Sequence, residues 1–173
     1  MRSQSTASEI ILRKATVTDL PGITEVEQLS FVHAGERFTQ KRIGYLIVNP
    51  RSIVTVAVAG DRILGWAAGL VWLRGREPWG RIYALAVHPD ARGKRLGPWL
   101  LDDMIQALRS RGAGIIFLEV RVDNQAAIRL YQAVGFEFCR LLHNYYGPDL
   151  PAQRMALPAA PHSGQRSGET RKS

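Results

Sequence analysis

The chain has 173 residues, 46% of them hydrophobic, and a formal net charge of +8, a length that suits one well-cored domain rather than two. Its single cysteine, Cys139, excludes an intrachain disulfide and reads as a small apolar filler in a strand. No apolar run approaches the roughly 20 residues of a membrane span, and the charge favours anionic partners such as phosphates, RNA or acidic proteins.

The opening MRSQSTASE lacks the apolar core of a secretory signal, so a flexible start over residues 1–9 and a cytosolic location are expected. Ile10 to Ala15 reads as a first strand. A helix follows, capped by Thr18, entered through Asp19, Leu20 and Pro21, and burying Leu20, Ile23, Val26 and Ser30 or Phe31. A second short helix starts after Thr39, buries Ile43, Leu46 and Ile47, and ends at Asn49-Pro50. Ile53 to Ala59 and Ile63 to Leu73, joined at Gly60-Asp61, form an antiparallel hairpin. Gly65 and Gly69 inside its second arm signal a bulge or a close backbone approach. Trp72 and Trp79 flank the connection Arg74 to Gly80 and read either as a docking surface or as caps on the sheet edge.

The organising stretch comes next. Ile82 to Val87 is apolar without interruption, as in a strand covered on both faces, and His88-Pro89-Asp90 stops it. The basic turn Arg92-Gly93-Lys94-Arg95-Leu96-Gly97 opens into a helix at Pro98, whose missing N–H is harmless in a first turn. Leu100, Leu101, Met104, Ile105 and Leu108 give that helix its buried face, and Gly112 closes it. Free N–H groups at such a helix start bind phosphate, so Arg92 to Pro98 reads as a pyrophosphate cradle.

Ile115 to Val122 is a strand with Phe117 and Glu119 on one face and Ile116, Leu118 and Val120 on the other. Asp123-Asn124 caps a helix with Ala127, Leu130, Tyr131 and Val134 on one side, ended by Gly135. Phe136 to Tyr146 and Gln153 to Leu157 read as the last strands. Residues 159–173, basic and without large apolar side chains, read as a disordered tail, where any RNA contact would lie. The order implies an α/β fold with a mixed sheet, in which Ile82–Val87 and Ile115–Val122 form a parallel βαβ pair and a ligand crevice opens at their carboxyl ends. His33, His88 and His143 lack ligand-like spacing, and no metal is expected.

The turn resembles the signature of the GNAT superfamily of acyl-CoA-dependent N-acyltransferases. Arg92 and Gly97 match its two ends, and Arg95 stands where the family has its inner glycine. Glu119-Val120-Arg121, Asn124, Ala127-Ile128, Leu130-Tyr131, Gly135-Phe136, Asn144-Tyr145-Tyr146 and Met155-Ala156-Leu157 resemble the bacterial ribosomal-protein alanine N-acetyltransferases and their archaeal N-terminal acetyltransferase relatives. The resemblance covers roughly Arg81 to Pro158. It implies a GNAT fold, acetyl-CoA as acyl donor and a protein or peptide N-terminus as acceptor. It also implies Glu119 as general base through a water and Tyr131 as general acid. By the same resemblance the backbone of Leu85, Ala86 and Val87 holds the pantetheine arm. Arg92, Gly93, Lys94, Arg95, Leu96, Gly97 and Pro98 hold the pyrophosphate, Asn124 is a further cofactor contact, and Tyr145 and Tyr146 shape the acceptor pocket. Asp149 is the one acidic candidate before the last strand, and Phe31 to Phe38 overhangs the acceptor site.

The chemistry asks for such residues. An amine attacks a thioester only when neutral, and an α-amine of pKa roughly 7.7–8.0 is neutral about 300 times more often near pH 7 than a lysine of about 10.4. A partly desolvated glutamate suffices as its base, and a tyrosine near 10 can return a proton to a leaving thiolate. Taken alone, Glu119 reads as a strand-end partner of Arg81 or Arg121 and Tyr131 as a core aromatic; the ordered set around them assigns the roles. A lysine or small-amine acetyltransferase and a non-catalytic acyl-CoA-binding module are the alternatives.

Overall fold

The computed structural model describes residues 9–73 and 77–159; the expected flexible start and basic tail fall almost wholly outside them. Seven strands form one sheet: β1 (Ile10–Lys14), β2 (Ser52–Ala59), β3 (Arg62–Trp72), β4 (Trp79–Val87), β5 (Ile115–Arg121), β6 (Glu137–Leu142) and β7 (Ala152–Leu157). Their order is β1-β2-β3-β4-β5-β7-β6, and of the described pairings only β4–β5 is parallel. Helices α1 (Leu20–Ser30) and α2 (Gln40–Val48) cover one face, where Ile23, Val26, Ile43 and Leu46 meet Val54, Val56 and Trp66. Helices α3 (Leu96–Ser110) and α4 (Gln125–Val134) contribute to the core on the other. Leu100, Leu101, Met104 and Leu108 are fully buried there, as the three-and-four spacing requires. No described helix is long and apolar enough to cross a membrane.

Two details differ from the sequence reading in the way α1 starts and β6 ends. Thr18 caps nothing: its hydroxyl meets only that of Thr16 at 2.8 Å. The turn is instead closed by Asp19, which accepts from Thr16 N at 2.7 Å and from both terminal nitrogens of Arg13 at 2.7 Å, and these donors hold its carboxyl at about 2. The strand expected from Phe136 to Tyr146 stops at Leu142, because Asn144 and Asp149 adopt left-handed φ of 51° and 58° and Asn144 Oδ1 accepts from Asp149 N. Tyr145 and Tyr146 therefore sit on a loop. Cys139 lies exposed on β6 and fills no core.

The crevice has a register cause. Residues Trp79 to Ile82 pair with Ile115 to Leu118, and beyond that point β5 pairs only with β7 while β4 pairs only with β3. A bulge sits at the parting: Ala68 faces Ala84 and Gly69 faces Ile82, leaving Tyr83 unpaired. The extra residue switches the alternation of β4, so Ile82 joins the α3 core and Ala84 and Ala86 join the α1–α2 core. That is how an unbroken apolar run serves both faces. Gly69 allows the close approach expected of it, since a Cβ there would lie 2.7 Å from Met104 Sδ.

Candidate active site

Two cavities meet where β4 and β5 separate. The first, about 610 Å³, is walled by the end of β4, the turn before α3 and the first turns of α4. Of the residues expected to hold a cofactor, Leu85, Ala86, Val87, Arg92, Gly93, Arg95, Leu96, Gly97, Pro98 and Asn124 line it; Lys94 is exposed outside the wall. Val87 O also accepts from Ser30 Oγ at the end of α1. Asn124 has a second duty, its Oδ1 accepting from Ala127 N at 3.2 Å to cap α4.

The turn is open to an anion. Arg92 N bonds Pro89 O, and the first bond inside α3 runs from Trp99 N to Arg95 O. Among the described residues no backbone or side-chain group accepts from the amides of Gly93, Lys94, Arg95, Leu96 or Gly97. A Cβ on Gly93 would meet nothing within 4 Å. Successive free amides at the positive end of a 15-residue helix fit a diphosphate. Arg95 occupies the left-handed region at φ 60° and ψ 19°, so the arginine is kept where glycine would be relaxed.

The second cavity, about 330 Å³, lies on the α1–α2 side and contains Glu119, Tyr131, Tyr145 and Tyr146 in its lining. Its roof is the segment of residues 31–38, fastened at three points. Phe38 N donates to Glu27 Oε1 at 2.9 Å, Arg121 donates to Glu36 at 2.8 Å, and Gly35 lies so close to the 144–147 loop that a Cβ would fall 1.8 Å from Tyr146 O. Tyr146 is pinned by its hydroxyl donating to Glu119 O at 3.1 Å.

Glu119 is buried between two arginines. Nε of Arg81 donates to Oε2 and Nε of Arg154 to Oε1, both at 2.8 Å, and a terminal nitrogen of each lies 2.7 Å from the same oxygen. Arg81 also donates to the Tyr145 hydroxyl and lies 4.5 Å above the Tyr83 ring. The Arg81 pairing is one of the two ion pairs foreseen from sequence; Arg121 instead joins Glu36 and Asp123. Tyr131 lines both cavities, packs edge-on against Phe136 at 5.9 Å, and its burial pushes the phenol up to about 12. No described group hydrogen-bonds its hydroxyl.

The Acetyltransferase (GNAT) family profile matches residues 20–136. The chain belongs to the acetyltransferase (GNAT) family. It is 30% identical over 141 residues to the ribosomal protein bS18 alanine N-acetyltransferase of Salmonella typhimurium, covering 76% of this chain and 83% of that one. The structure of the ribosomal-protein-S18-alanine N-acetyltransferase from Escherichia coli superposes with a TM-score of 0.75 at 26% identity, covering 93% of this chain and 100% of that one. Ard1 from Thermoplasma volcanium gives 0.76 at 25% identity over 88% and 99% of the two chains.

Within this GNAT site one carboxylate was not singled out from the sequence. Glu27 is 1% exposed, accepts from Phe38 N and from Trp66 Nε1 at 3.0 Å, and lines the second cavity. Its position four residues after Ile23, on the buried face of α1, was the available signal. Desolvation raises its carboxyl to about 7, against the opposing hydrogen bonds. The folded chain therefore keeps a proton that the unfolded chain releases near 4.5, and stability falls as pH rises through that window. The loss is at most about 3 kcal/mol. Urea midpoints at pH 5 and pH 8 should differ accordingly, and Glu27→Gln should flatten the difference.

Arg95 supplies a second prediction. Arg95→Gly should raise stability by about 1 kcal/mol by removing the left-handed penalty. Arg95→Glu should weaken acetyl-CoA binding most strongly at low salt; calorimetric titration at two ionic strengths reads this directly.

Proposed function

We propose that this GNAT enzyme moves the acetyl group of acetyl-CoA to the N-terminal α-amine of a protein or peptide, by direct transfer in a ternary complex in the cytoplasm. The observation that carries the reading is the junction of two cavities at the β4–β5 parting, one an open anion cradle and one an arginine- and tyrosine-lined pocket, with Tyr131 on both walls. The N-terminal relatives support the choice of acceptor.

Acetyl-CoA, when bound, supplies an acyl thioester and a leaving thiol. In this reading the amides of Gly93 to Gly97 hold its diphosphate, with Arg92 and Arg95 adding charge. The edge of β4 at Leu85, Ala86 and Val87, unpaired on the β5 side, offers hydrogen bonds along the pantetheine arm. Tyr131, kept protonated by burial, holds the proton for the departing thiolate. Tyr145 and Tyr146 wall the acceptor pocket.

Glu119 is the expected proton acceptor, and its geometry sets a condition on that role. Each oxygen is held by an arginine, so a water reaches the carboxylate only when one of those contacts opens. Glu27 is the second reading: it borders the same pocket with a carboxyl that titrates near neutrality, as a general base should. Thiol release measured over N-terminal peptides, N-blocked lysine peptides and small amines tests the function. Turnover of free N-termini is expected, and turnover of lysine alone would overturn the acceptor assignment. Comparing Glu119→Gln with Glu27→Gln identifies the base, since only the loss of the true base lowers kcat sharply at a pH where the amine is already neutral.

A further inference from the structure

A third cavity, of about 660 Å³, continues from the acceptor pocket and is used by nothing above. Tyr83, the unpaired residue of the β4 bulge, is a wall of both. The sheet register orders the three cavities along β4. The cofactor groove lies at Leu85 to Val87 and the acceptor pocket spans Arg81 to Leu85. The third takes Leu70, Val71 and Trp72 of β3, which pair with Arg81, Gly80 and Trp79. A chain whose amine sits near Leu85 and which runs back along β4 away from the cofactor enters this groove.

The lining has one sign of charge. Arg42, Arg51 and Arg111 contribute to it, and no aspartate or glutamate does among the described lining residues. Arg111 is fixed by donating to the carbonyls of Pro50, Arg51 and Ser52 at 3.0–3.4 Å, while Arg42 lies over the Tyr45 ring at 5.6 Å. Trp72 and Leu73 are exposed at its rim. Trp72 already stacks on Trp79, with ring centres 5.7 Å apart and planes 14° from parallel. One face of the exposed Trp72 ring is thus taken by Trp79, which makes it a wall for a chain rather than a stacking platform for bases. Positive charge beside apolar walls complements carboxylates interspersed with apolar side chains.

We propose that this groove seats an acidic stretch of the acceptor polypeptide, downstream of the amine that is acetylated. The inference rests on the N-terminal acceptor reading. An extended chain advances about 3.3 Å per residue, so the roughly 20 Å from Leu85 to Trp79 is spanned by about six residues. A four-residue acceptor fills the acceptor pocket and misses most of the groove. A ten-residue acceptor reaches the arginines.

The test uses the full chain with one tetrapeptide acceptor and three ten-residue acceptors that share its first four residues and continue with acidic, neutral or basic sequence. The acidic decapeptide should show a KM about tenfold below that of the tetrapeptide, an advantage that shrinks with added salt. The double variant Arg42→Glu, Arg51→Glu should abolish it while leaving turnover of the tetrapeptide unchanged. Neither side chain lines the cofactor groove or the acceptor pocket, and equal melting temperatures would verify the fold. Equal KM values for the three decapeptides, or an acidic advantage that survives the double variant, would overturn the inference. So would tight binding of an oligouridylate that leaves the decapeptides undifferentiated, which would make the groove a nucleic-acid site. Absence of product with the tetrapeptide itself would instead defeat the N-terminal reading, and the inference with it.

Discussion

Tyr131→Phe should lower kcat about a hundredfold while leaving the affinity for acetyl-CoA and the melting temperature unchanged. The magnitude is that of removing a positioned proton donor. Burial lifts the phenol to about 12, so it stays protonated and available as a donor at every working pH. Stability should hold because no described group depends on the hydroxyl, and the ring keeps its contact with Phe136. Removing a hydroxyl on which no described group depends leaves no donor or acceptor unsatisfied, so it should be nearly neutral. Single-turnover rates give the cleanest measurement, since they separate transfer from product release. An unchanged rate would remove Tyr131 from the chemistry and leave it as a core aromatic.

Gly35→Ala should reduce kcat/KM for the acceptor about a hundredfold with no change in acetyl-CoA dissociation. The Cβ would fall 1.8 Å from the Tyr146 carbonyl oxygen, and the obstacle is backbone rather than a side chain able to swing aside. The loop cannot move freely, because Tyr146 is tied to Glu119 O and Tyr145 accepts from Arg81. Roof and loop must therefore part by more than an ångström, which loosens the acceptor pocket between them. Misplacement on that scale costs about a hundredfold in rate, and the overpacking costs about 2 kcal/mol of stability. The cofactor groove lies across the parting and does not include Gly35, so its affinity should survive. Acceptor kinetics that match the parent would show that the roof plays no part in seating the amine.

Much of this architecture was legible because local chemistry and tertiary need agree. Thr39 caps α2, Gly135 takes φ 104° and ends α4 with Phe136 N bonded to Tyr131 O, and Glu119 and Phe117 share a face of β5. The two residues assigned to chemistry by resemblance, Glu119 and Tyr131, do border one cavity. Other features depended on partners distant in sequence. The hold of Arg154 on Glu119 spans 35 residues and had no local signal, unlike the Arg81 pairing. The bulge that isolates Tyr83 depends on register with β3, which an uninterrupted apolar run leaves undetermined. Gly35 carries no signal in FVHAGERF, since its tightness arises from a loop more than a hundred residues away. Thr18 was mistaken for a cap because Thr16, two residues earlier, and Asp19, one residue later, close the turn with the same chemistry.

In the proposed enzyme the amides between Gly93 and Gly97 are the grip on acetyl-CoA. Backbone amide resonances followed during titration with acetyl-CoA test this most directly. The resonances of Gly93, Lys94, Arg95, Leu96 and Gly97 should shift together, saturate at the affinity measured by calorimetry, and move again when a CoA analogue lacking the diphosphate is substituted. Saturable binding that leaves those five resonances in place and perturbs others would contradict it.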